Sequence, residues 1–230
     1  MRGMNHRTAT TPATAERILD VAERLVQTRG FNGFSYADIA AELGITKASL
    51  HYHFATKAQL GCTLIERYTG AFEGALQKIT TEQADARARL RAYIKIYADV
   101  LADGRMCLCG MAAAEYGTLP ETMQKSLRVF FSFNERWLAQ LLEQAQREGY
   151  LSLRAPASEE AGMLMSALEG AMLVARTMGD RARFGATAHA LLAQLESRPP
   201  ARARRASRAR TARNPTTDRD ASRPRAARGT

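Results

Sequence analysis

The sequence predicts an all-α protein in which a small N-terminal helical module precedes a larger helical domain. Apolar residues recur at helical spacing along most of the chain, and no segment alternates apolar and polar residues as a half-buried strand does. Ser, Thr, Asp, Pro and Gly stand where the predicted helices begin and end. With 230 residues, 46% of them hydrophobic, the chain is long enough to bury a sizeable core.

The first helix is expected to begin with Thr11 as its cap and Pro12 at its first position, because the fixed backbone of proline suits a first helical turn. Residues 1–13 are otherwise assigned to a flexible arm. The helix should end near Gly30, and one of its faces is apolar: Ile18, Val21, Ala22, Leu25 and Val26.

Two short helices follow. Ser35 with Asp38 three residues later predicts a capped helix over residues 36–43, which Gly44 should end. Thr46 can then cap a third helix over residues 47–54. Two short helices joined by a turn with glycine have the spacing of a helix-turn-helix motif, here at about residues 35–56.

Thr56 and Gln59 form another capping pair, which begins a long fourth helix. From there on six helices are expected, at about residues 57–79, 84–103, 106–117, 121–148, 158–179 and 182–197. The helix over 121–148 is apolar around more of its circumference than a one-sided surface helix requires. It should therefore lie between other helices.

The third helix has an apolar side and a chemically mixed outer side. Leu50 and Phe54 should point together into the core, while the outward set comprises Lys47, Ala48, Ser49, His51 and Tyr52. Such a set suits DNA, because a small residue permits close approach and lysine, hydroxyl and tyrosine side chains bind base edges or phosphates. The helix N-termini at Ser35 and Thr46 add free backbone amides that can bind phosphate.

Residues 18–60, "ILDVAERLVQTRGFNGFSYADIAAELGITKASLHYHFATKAQL", resemble the DNA-binding domain of the TetR/AcrR family of transcriptional regulators. The resemblance implies a three-helix DNA-binding domain at 14–74 and an effector-binding and dimerisation domain at 75–197. It also implies a homodimeric repressor that leaves double-stranded operator DNA when a small-molecule or thiol-reactive effector acts. The positions at or near DNA would be Ser35, Tyr36, Thr46, Lys47, Ala48, Ser49, His51, Tyr52, His53 and Lys57.

His51 departs from the family pattern, which usually has a tyrosine there that touches a phosphate. A protonated imidazole would add a charge, and a phosphate neighbour favours that protonation. We therefore expect operator affinity to weaken as the pH rises through the range near ~6.5 where free histidine titrates. A metal site at His51 and His53 is disfavoured, because residues two apart on a helix diverge by roughly 200°.

Residues 158–195 resemble the last two helices of TetR-type proteins, which form a four-helix bundle with their symmetry mates. Mid-helix glycine is costly unless close packing compensates, so small residues here suit a helix pairing. The interface positions would be Gly162, Met163, Ala167, Gly170 and Ala171. An internal core helix is the alternative.

An apolar pocket with a few polar tips is expected in the second domain, because this family usually encloses a small-molecule site there. Each candidate lining residue can also be plain core. The candidates are Tyr93, Tyr97, Cys107, Cys109, Met111, Tyr116, Phe130, Phe133, Asn134 and Trp137.

Cys107 and Cys109 follow Arg105 near a predicted helix start, where the helix dipole and a cation would stabilise a thiolate. This stretch also resembles that of TetR-type regulators which detect electrophiles. The alternative is that each cysteine is a small buried hydrophobe. Cys62 is the third cysteine, and three are too few for a disulfide scaffold.

The net charge of +10 comes mostly from the C-terminus, where residues 198–230 hold eleven Arg against two Asp. The other 197 residues carry 22 Lys and Arg against 21 Asp and Glu. This Arg-rich tail lacks Leu, Ile, Val and Phe, so disorder is expected. It could add salt-sensitive, sequence-independent DNA affinity, or it could have no dedicated role. An architectural DNA-binding protein that uses this tail is the alternative function.

Other functional classes find no support in the sequence. No apolar run approaches the ~20 residues of a membrane span, and the N-terminus does not resemble a secretion signal, so a cytoplasmic protein is expected. Phosphate-binding loops, nucleophile–base patterns and metal-ligand spacings are not evident, which argues against an enzyme, a cofactor or a metal.

Overall fold

Nine α-helices follow one another in the part of the chain that the computed structural model describes, residues 11–196. A 3₁₀ turn, Tyr116–Thr118, separates α6 from α7. The helices are α1 Thr11–Arg29, α2 Tyr36–Leu43, α3 Lys47–His53, α4 Lys57–Glu82, α5 Ala86–Ala102, α6 Leu108–Ala114, α7 Glu121–Arg147, α8 Ala157–Thr177 and α9 Ala182–Leu195. The all-α prediction is confirmed.

Two helix boundaries differ from the expected ones. α1 already includes Thr11, so residues 11–13 lie in a helix and not in a flexible arm. The segment expected to be helical over 106–117 forms the shorter α6 and then tightens into the 3₁₀ turn. There the amides of Thr118 and Leu119 donate to carbonyls three residues back, at 2.9 and 3.2 Å, and Gly117 adds a residue of low helix propensity.

The N-terminal helices share one apolar core. Ile18 of α1, Ile39 of α2, Leu50 of α3 and Leu60 of α4 are completely buried. At the surface, Arg67 of α4 bridges to three acidic residues of α1, namely Glu16, Asp20 and Glu23. Because α4 continues into the rest of the chain, it connects the helix-turn-helix rigidly to the larger helical body.

Helix α7 lies at the centre of that larger body, where it packs against α4, α5, α6 and α8. Its buried residues, which include Met123, Leu127, Phe130, Leu138 and Leu142, recur three or four positions apart and so lie along one face. The helix lies between others as predicted, but one apolar face and not most of its circumference is buried. α8 in turn packs against both α7 and α9.

The expected arm, apart from residues 11–13, and the expected disordered tail at 198–230 lie outside the described residues. Among the described helices, none combines the length and apolarity that crossing a membrane requires.

Candidate nucleic-acid interface and helix-bounded cavity

Helix α3 presents one side to solvent and fixes the other in the core. Leu50 is completely buried and Phe54 is 6% exposed, whereas the Tyr52 side chain is 77% exposed. Lys47 and Ala48 are exposed beside it, and Ser49 is half-buried. The helical arrangement expected from the sequence is therefore present, with a lysine, a small residue and a tyrosine on the outer surface.

The turn and caps that aim α3 have the expected chemistry. Gly44 ends α2 in the left-handed conformation, with φ 64°, which glycine adopts without strain. The Thr46 hydroxyl then accepts the amide of Ser49 at 3.1 Å. At the start of α2, the Ser35 amide and hydroxyl each donate to Asp38 at 2.7 Å, and these bonds lower the pKa of Asp38.

Two residues expected at or near DNA direct their polar atoms inward instead. The Tyr36 hydroxyl donates to the Phe54 carbonyl at 2.8 Å, and burial raises the pKa of Tyr36 to about 12. The Lys57 ammonium donates to the carbonyls of Phe31 and Phe34, both at 2.5 Å, and lies over both aromatic rings. These groups satisfy backbone acceptors of the helix-turn-helix, so they position the surface rather than form it.

His51 is exposed on α3 and packs its ring 4.9 Å from that of Tyr36. Its Nδ1 lies 3.1 Å from the Ala55 carbonyl. Because a carbonyl only accepts, Nδ1 carries a proton in this contact, and Nε2 is the nitrogen left for an external partner. The neighbouring His53 is half-buried, with its ring 5.3 Å from that of Tyr52.

The polar candidates for an effector pocket satisfy one another in the core. The hydroxyls of Tyr93 and Tyr97 are 3.0 Å apart, and the Asn134 amide bonds both of them at 3.0 and 3.1 Å. Trp137 stacks on Tyr93, with ring centroids 5.6 Å apart. Because these three side chains bond one another, they have little hydrogen-bonding capacity left for a ligand.

The remaining candidates are scattered. Phe130 is fully buried, Phe133 is half-buried, and Tyr116 lies on the surface, where it bonds Arg128. Among the ten pocket candidates, Met111 lines the cavity described below. Most of the residues predicted from the sequence to line a pocket therefore lie elsewhere, many of them as aromatic residues of the core.

The prediction of a stabilised thiolate at Cys107 or Cys109 is wrong. Both are buried, and burial followed by the nearby Glu169 carboxylate raises the pKa of each thiol well above its usual range. Cys107 does cap α6 and accepts the Gly110 amide at 3.4 Å, but desolvation outweighs that bond. The Arg105 guanidinium is directed to Asp103 and Gln27 instead.

A cavity of about 400 Å³ lies between α6, α7 and α8, and it opens toward the outer face of α8, where its wall residue Leu173 is half exposed. Its walls are mostly apolar, and they include Met106, Met111, Phe131, Met165 and Leu173. Glu169 of α8 also lines it, and burial raises the pKa of this carboxyl above its usual value. Sequence reasoning missed Glu169, although an acidic residue within the apolar run "MLMSALEGAMLV" was a visible signal.

The outer face of α8 carries large apolar side chains in contact with solvent. Met163, Leu173, Val174 and Met178 are each at least half exposed. Ala167 and Gly170 are half-buried on the same helix. Such a patch is typical of an interaction surface.

Two of the five predicted interface residues pack against other helices of the same chain. Ala171 is buried in the core, and a Cβ at Gly162 would meet Oε1 of Glu135 on α7 at 2.7 Å. Because these two positions face the protein's own helices, they belong to internal packing. Met163, Ala167 and Gly170 are the predicted residues that reach the outer side.

Helix α6 is bonded to the turn that precedes the helix-turn-helix. The Glu115 carboxylate accepts the amide of Phe31 at 2.6 Å and that of Asn32 at 3.2 Å. The Asn32 side chain donates to Thr118 at 2.7 Å. Sequence reasoning missed these contacts, since Glu115 and Phe31 are 84 positions apart. Helix α6 therefore lines the cavity, and the residue that ends it holds the α1–α2 turn.

Comparison with known proteins adds independent evidence. Residues 18–60 match the profile of bacterial regulatory proteins of the tetR family, and residues 86–191 match a tetracyclin repressor-like C-terminal domain. A TetR-family transcriptional regulator from Agrobacterium tumefaciens is 35% identical, with a TM-score of 0.80 over 82% of this chain and 100% of that one.

Two further relatives each match more than half of this chain. A TetR transcriptional regulator from Legionella pneumophila is 29% identical, with a TM-score of 0.72 over 85% of this chain and 100% of that one. The transcriptional regulator AcuR of Cereibacter sphaeroides is 29% identical over 152 residues, which are 64% of this chain and 69% of that protein.

Proposed function

This chain belongs to the TetR family of transcriptional regulators, and on that premise we propose that it is a homodimeric repressor which an effector releases from its operator. The site of action would be the cytoplasm. The protein would regulate by binding DNA and an effector, and it would not catalyse a reaction.

The observation that carries this proposal is the outer surface of α3. Lys47, Ala48 and Tyr52 are exposed together, while Leu50 and the Thr46 cap hold the helix in place. A recognition helix needs such a surface, because it must approach base edges closely without moving relative to its own core. The exposed lysine supplies a charge for phosphate.

A twofold dimer would place two copies of α3 on one face of the duplex. Helix-turn-helix dimers present their recognition helices roughly 34 to 36 Å apart, which is one turn of DNA. The exposed apolar face of α8 supports a dimer of this kind, since a second copy would cover it. An isolated protomer would contact only one half-site.

Release would follow from a change in the position of α6. Since Glu115 bonds the α1–α2 turn, a displacement of α6 would move the helix-turn-helix relative to the dimer axis. A coupling free energy of about 1 to 3 kcal/mol is ordinary for such a transition. Because Cys107 and Cys109 are buried with raised pKa values, we propose an effector that binds reversibly rather than one that alkylates a thiolate.

The test compares two double variants on DNA from the protein's own promoter. Lys47→Ala combined with Tyr52→Ala should abolish specific binding, measured by gel shift and footprinting. Lys78→Ala combined with Tyr116→Ala removes an exposed lysine and an exposed tyrosine away from α3, and it should bind as wild type does. Undiminished binding by the first variant, with native circular dichroism, would refute the proposal.

A further inference from the structure

The cavity between α6, α7 and α8 has a single ionisable wall. Glu169 alone ionises among the described residues that line it, and the other wall residues are methionine, leucine, phenylalanine, alanine, serine or glycine. A volume of about 400 Å³ is within the range of small-molecule sites. A ligand that fits would be largely apolar and would meet one carboxylate.

That carboxylate lacks a full set of partners. Its Oε1 atom is shielded from solvent and has no hydrogen-bond partner among the described residues. A buried acceptor left unpaired is costly, and an unpaired buried charge is more so. The Cys107 thiol is a hydrogen-bond partner of this carboxylate, but Oε1 still lacks a donor among the described residues.

The ionisable groups beside Glu169 supply no positive charge. Burial, with Glu169 among the nearby charges, raises the pKa values of Cys107, Cys109 and Tyr68, so these side chains stay neutral. Arg176, farther along α8, donates to the Thr28 carbonyl at 2.5 Å and approaches the Met111 sulfur at 3.8 Å. Its guanidinium is thus engaged at the α1 end of the cavity.

Glycine at position 110 leaves room for the Glu169 carboxylate beside α6. An added Cβ at Gly110 would collide with Oε2 of Glu169. Glycine in a helix lowers stability relative to alanine, so this close approach has a cost. The carboxylate can lie against α6 because no side chain stands there.

We propose that this cavity is the effector site and that it binds a small organic cation, an amine or quaternary ammonium joined to an apolar group, with Glu169 as its counter-ion. The identification as effector site rests on the proposed function, whereas cation binding does not. Phe131 offers a ring face, and Met106, Met111 and Met165 offer polarisable sulfur to the apolar part. An anionic ligand would be repelled, and a neutral one would leave the charge unpaired.

Calorimetry on the full chain without DNA tests the site. The probes are benzylammonium, benzyl alcohol and benzoate, which share a ring and differ in charge. Benzylammonium should bind about tenfold or more tightly than benzyl alcohol, the ratio expected for one hydrogen bond to a charged group. Benzoate should bind weakest. Equal affinities, a preference for benzoate, or no saturable benzylammonium binding at millimolar concentration would overturn the proposal.

Two variants locate the selectivity. Glu169→Gln should remove the preference for the cation, while Glu160→Gln, at another buried carboxylate with an unpartnered oxygen, should keep it. Gly110→Ala displaces the Glu169 carboxylate without deleting it, so it should weaken benzylammonium binding even if Glu169→Gln fails to fold. Gly74→Ala places a methyl group in open space and serves as its control. A preference that survives Gly110→Ala, or Glu169→Gln if it folds, would refute Glu169 as counter-ion.

The same probes then distinguish cation binding in the cavity from control of DNA binding by that cavity. If benzylammonium binds selectively but leaves promoter binding unchanged, the cation site stands and its identification as the effector site is refuted. If promoter binding is absent under all conditions, the proposed repressor function fails while the calorimetric result is unaffected. Release of promoter DNA by benzylammonium, and not by benzoate, supports both.

Discussion

His51 illustrates how one side chain can tie DNA affinity to pH. Its Nδ1 is held by the Ala55 carbonyl, so the neutral ring would present the lone pair of Nε2 to an outside partner. A phosphate oxygen is also an acceptor and would not bond this lone pair. Only the protonated ring has a second N–H to donate, and it adds a positive charge.

We therefore predict that operator affinity falls by up to about tenfold as the pH rises from about 5.5 to about 8. His51→Tyr should bind with little pH dependence across this range, because a tyrosine hydroxyl donates at every pH in it. Fluorescence anisotropy with promoter DNA at constant ionic strength measures both proteins. His53→Gln is the control and should retain the wild-type profile; equal pH dependence in His51→Tyr would contradict the prediction.

Glu169 affects stability through its raised pKa. In the folded chain this carboxyl holds its proton to higher pH than in the unfolded chain, so the folded state binds more protons between the two pKa values. The free energy of unfolding therefore falls as the pH rises through that interval. Below the unfolded pKa the carboxyl is protonated in both states, and this loss is absent.

Glu169→Gln should consequently become more stable relative to wild type as the pH rises, since glutamine does not titrate. Urea unfolding at a series of pH values from about 4 to about 8 gives the difference in free energy between the two proteins. The change of this difference with pH is the quantity that tests Glu169, because the other titrating groups are present in both proteins and cancel. A difference that stays constant or shrinks with rising pH would contradict this assignment.

At the scale of secondary structure, α6 is the element that links the cavity to the helix-turn-helix. Gly110 faces Glu169 on one side of the cavity, and Glu115 at the end of the helix accepts the amides of Phe31 and Asn32. The Met106 amide, just before α6, also donates to the Gln27 carbonyl of α1 at 3.1 Å. Both ends of this seven-residue helix are therefore bonded to α1 or to the turn that follows α1.

Glu115→Ala should lower the free energy of unfolding by about 1 to 3 kcal/mol, because it leaves the part-buried Phe31 amide, as well as the exposed Asn32 amide, without this acceptor. Chemical denaturation measures this. Glu121→Ala removes an exposed carboxylate that forms an i,i+4 pair with Lys125, and it should change stability by less than about 0.5 kcal/mol. Similar losses in the two variants would show that the Glu115 contacts do not hold α6 to the turn.

At the scale of the whole molecule, the charge is divided unevenly between the folded helices and the tail. Residues 198–230 hold eleven of the 33 Lys and Arg, whereas the rest of the chain is nearly neutral. A tail of this composition adds affinity that depends on salt and not on sequence. The exposed face of α3 lies outside this tail, and on the proposed function it is the surface that distinguishes sequences.

Deleting residues 198–230 should therefore preserve preference for the promoter over random DNA and should flatten the dependence of affinity on salt. Titrations of both DNAs at several salt concentrations measure the two effects. A chain with a scrambled tail of the same composition controls for length and charge. Loss of all binding on truncation would favour an architectural DNA-binding protein over a selective repressor.

Local signals in the sequence predicted most of the fold. The caps at Ser35, Thr46 and Thr56 and the glycine at position 44 set helix ends within a few residues, since capping acts between near neighbours. Periodicity also placed Leu50 inward and Tyr52 outward on α3. The directions of Tyr36 and Lys57 were not predictable, because their acceptors, such as the Phe54 and Phe31 carbonyls, lie 18 and 26 positions away.

The sequence by itself thus determined the helices, the outer surface of α3 and the family, all of which depend on residues close together in the chain. Only the tertiary structure decided which polar groups are buried: it raised the pKa values of Cys107 and Cys109, placed Glu169 in a cavity and joined Glu115 to the α1–α2 turn. The physical reason is that desolvation and long-range hydrogen bonds depend on packing between helices, which periodicity along one helix does not encode.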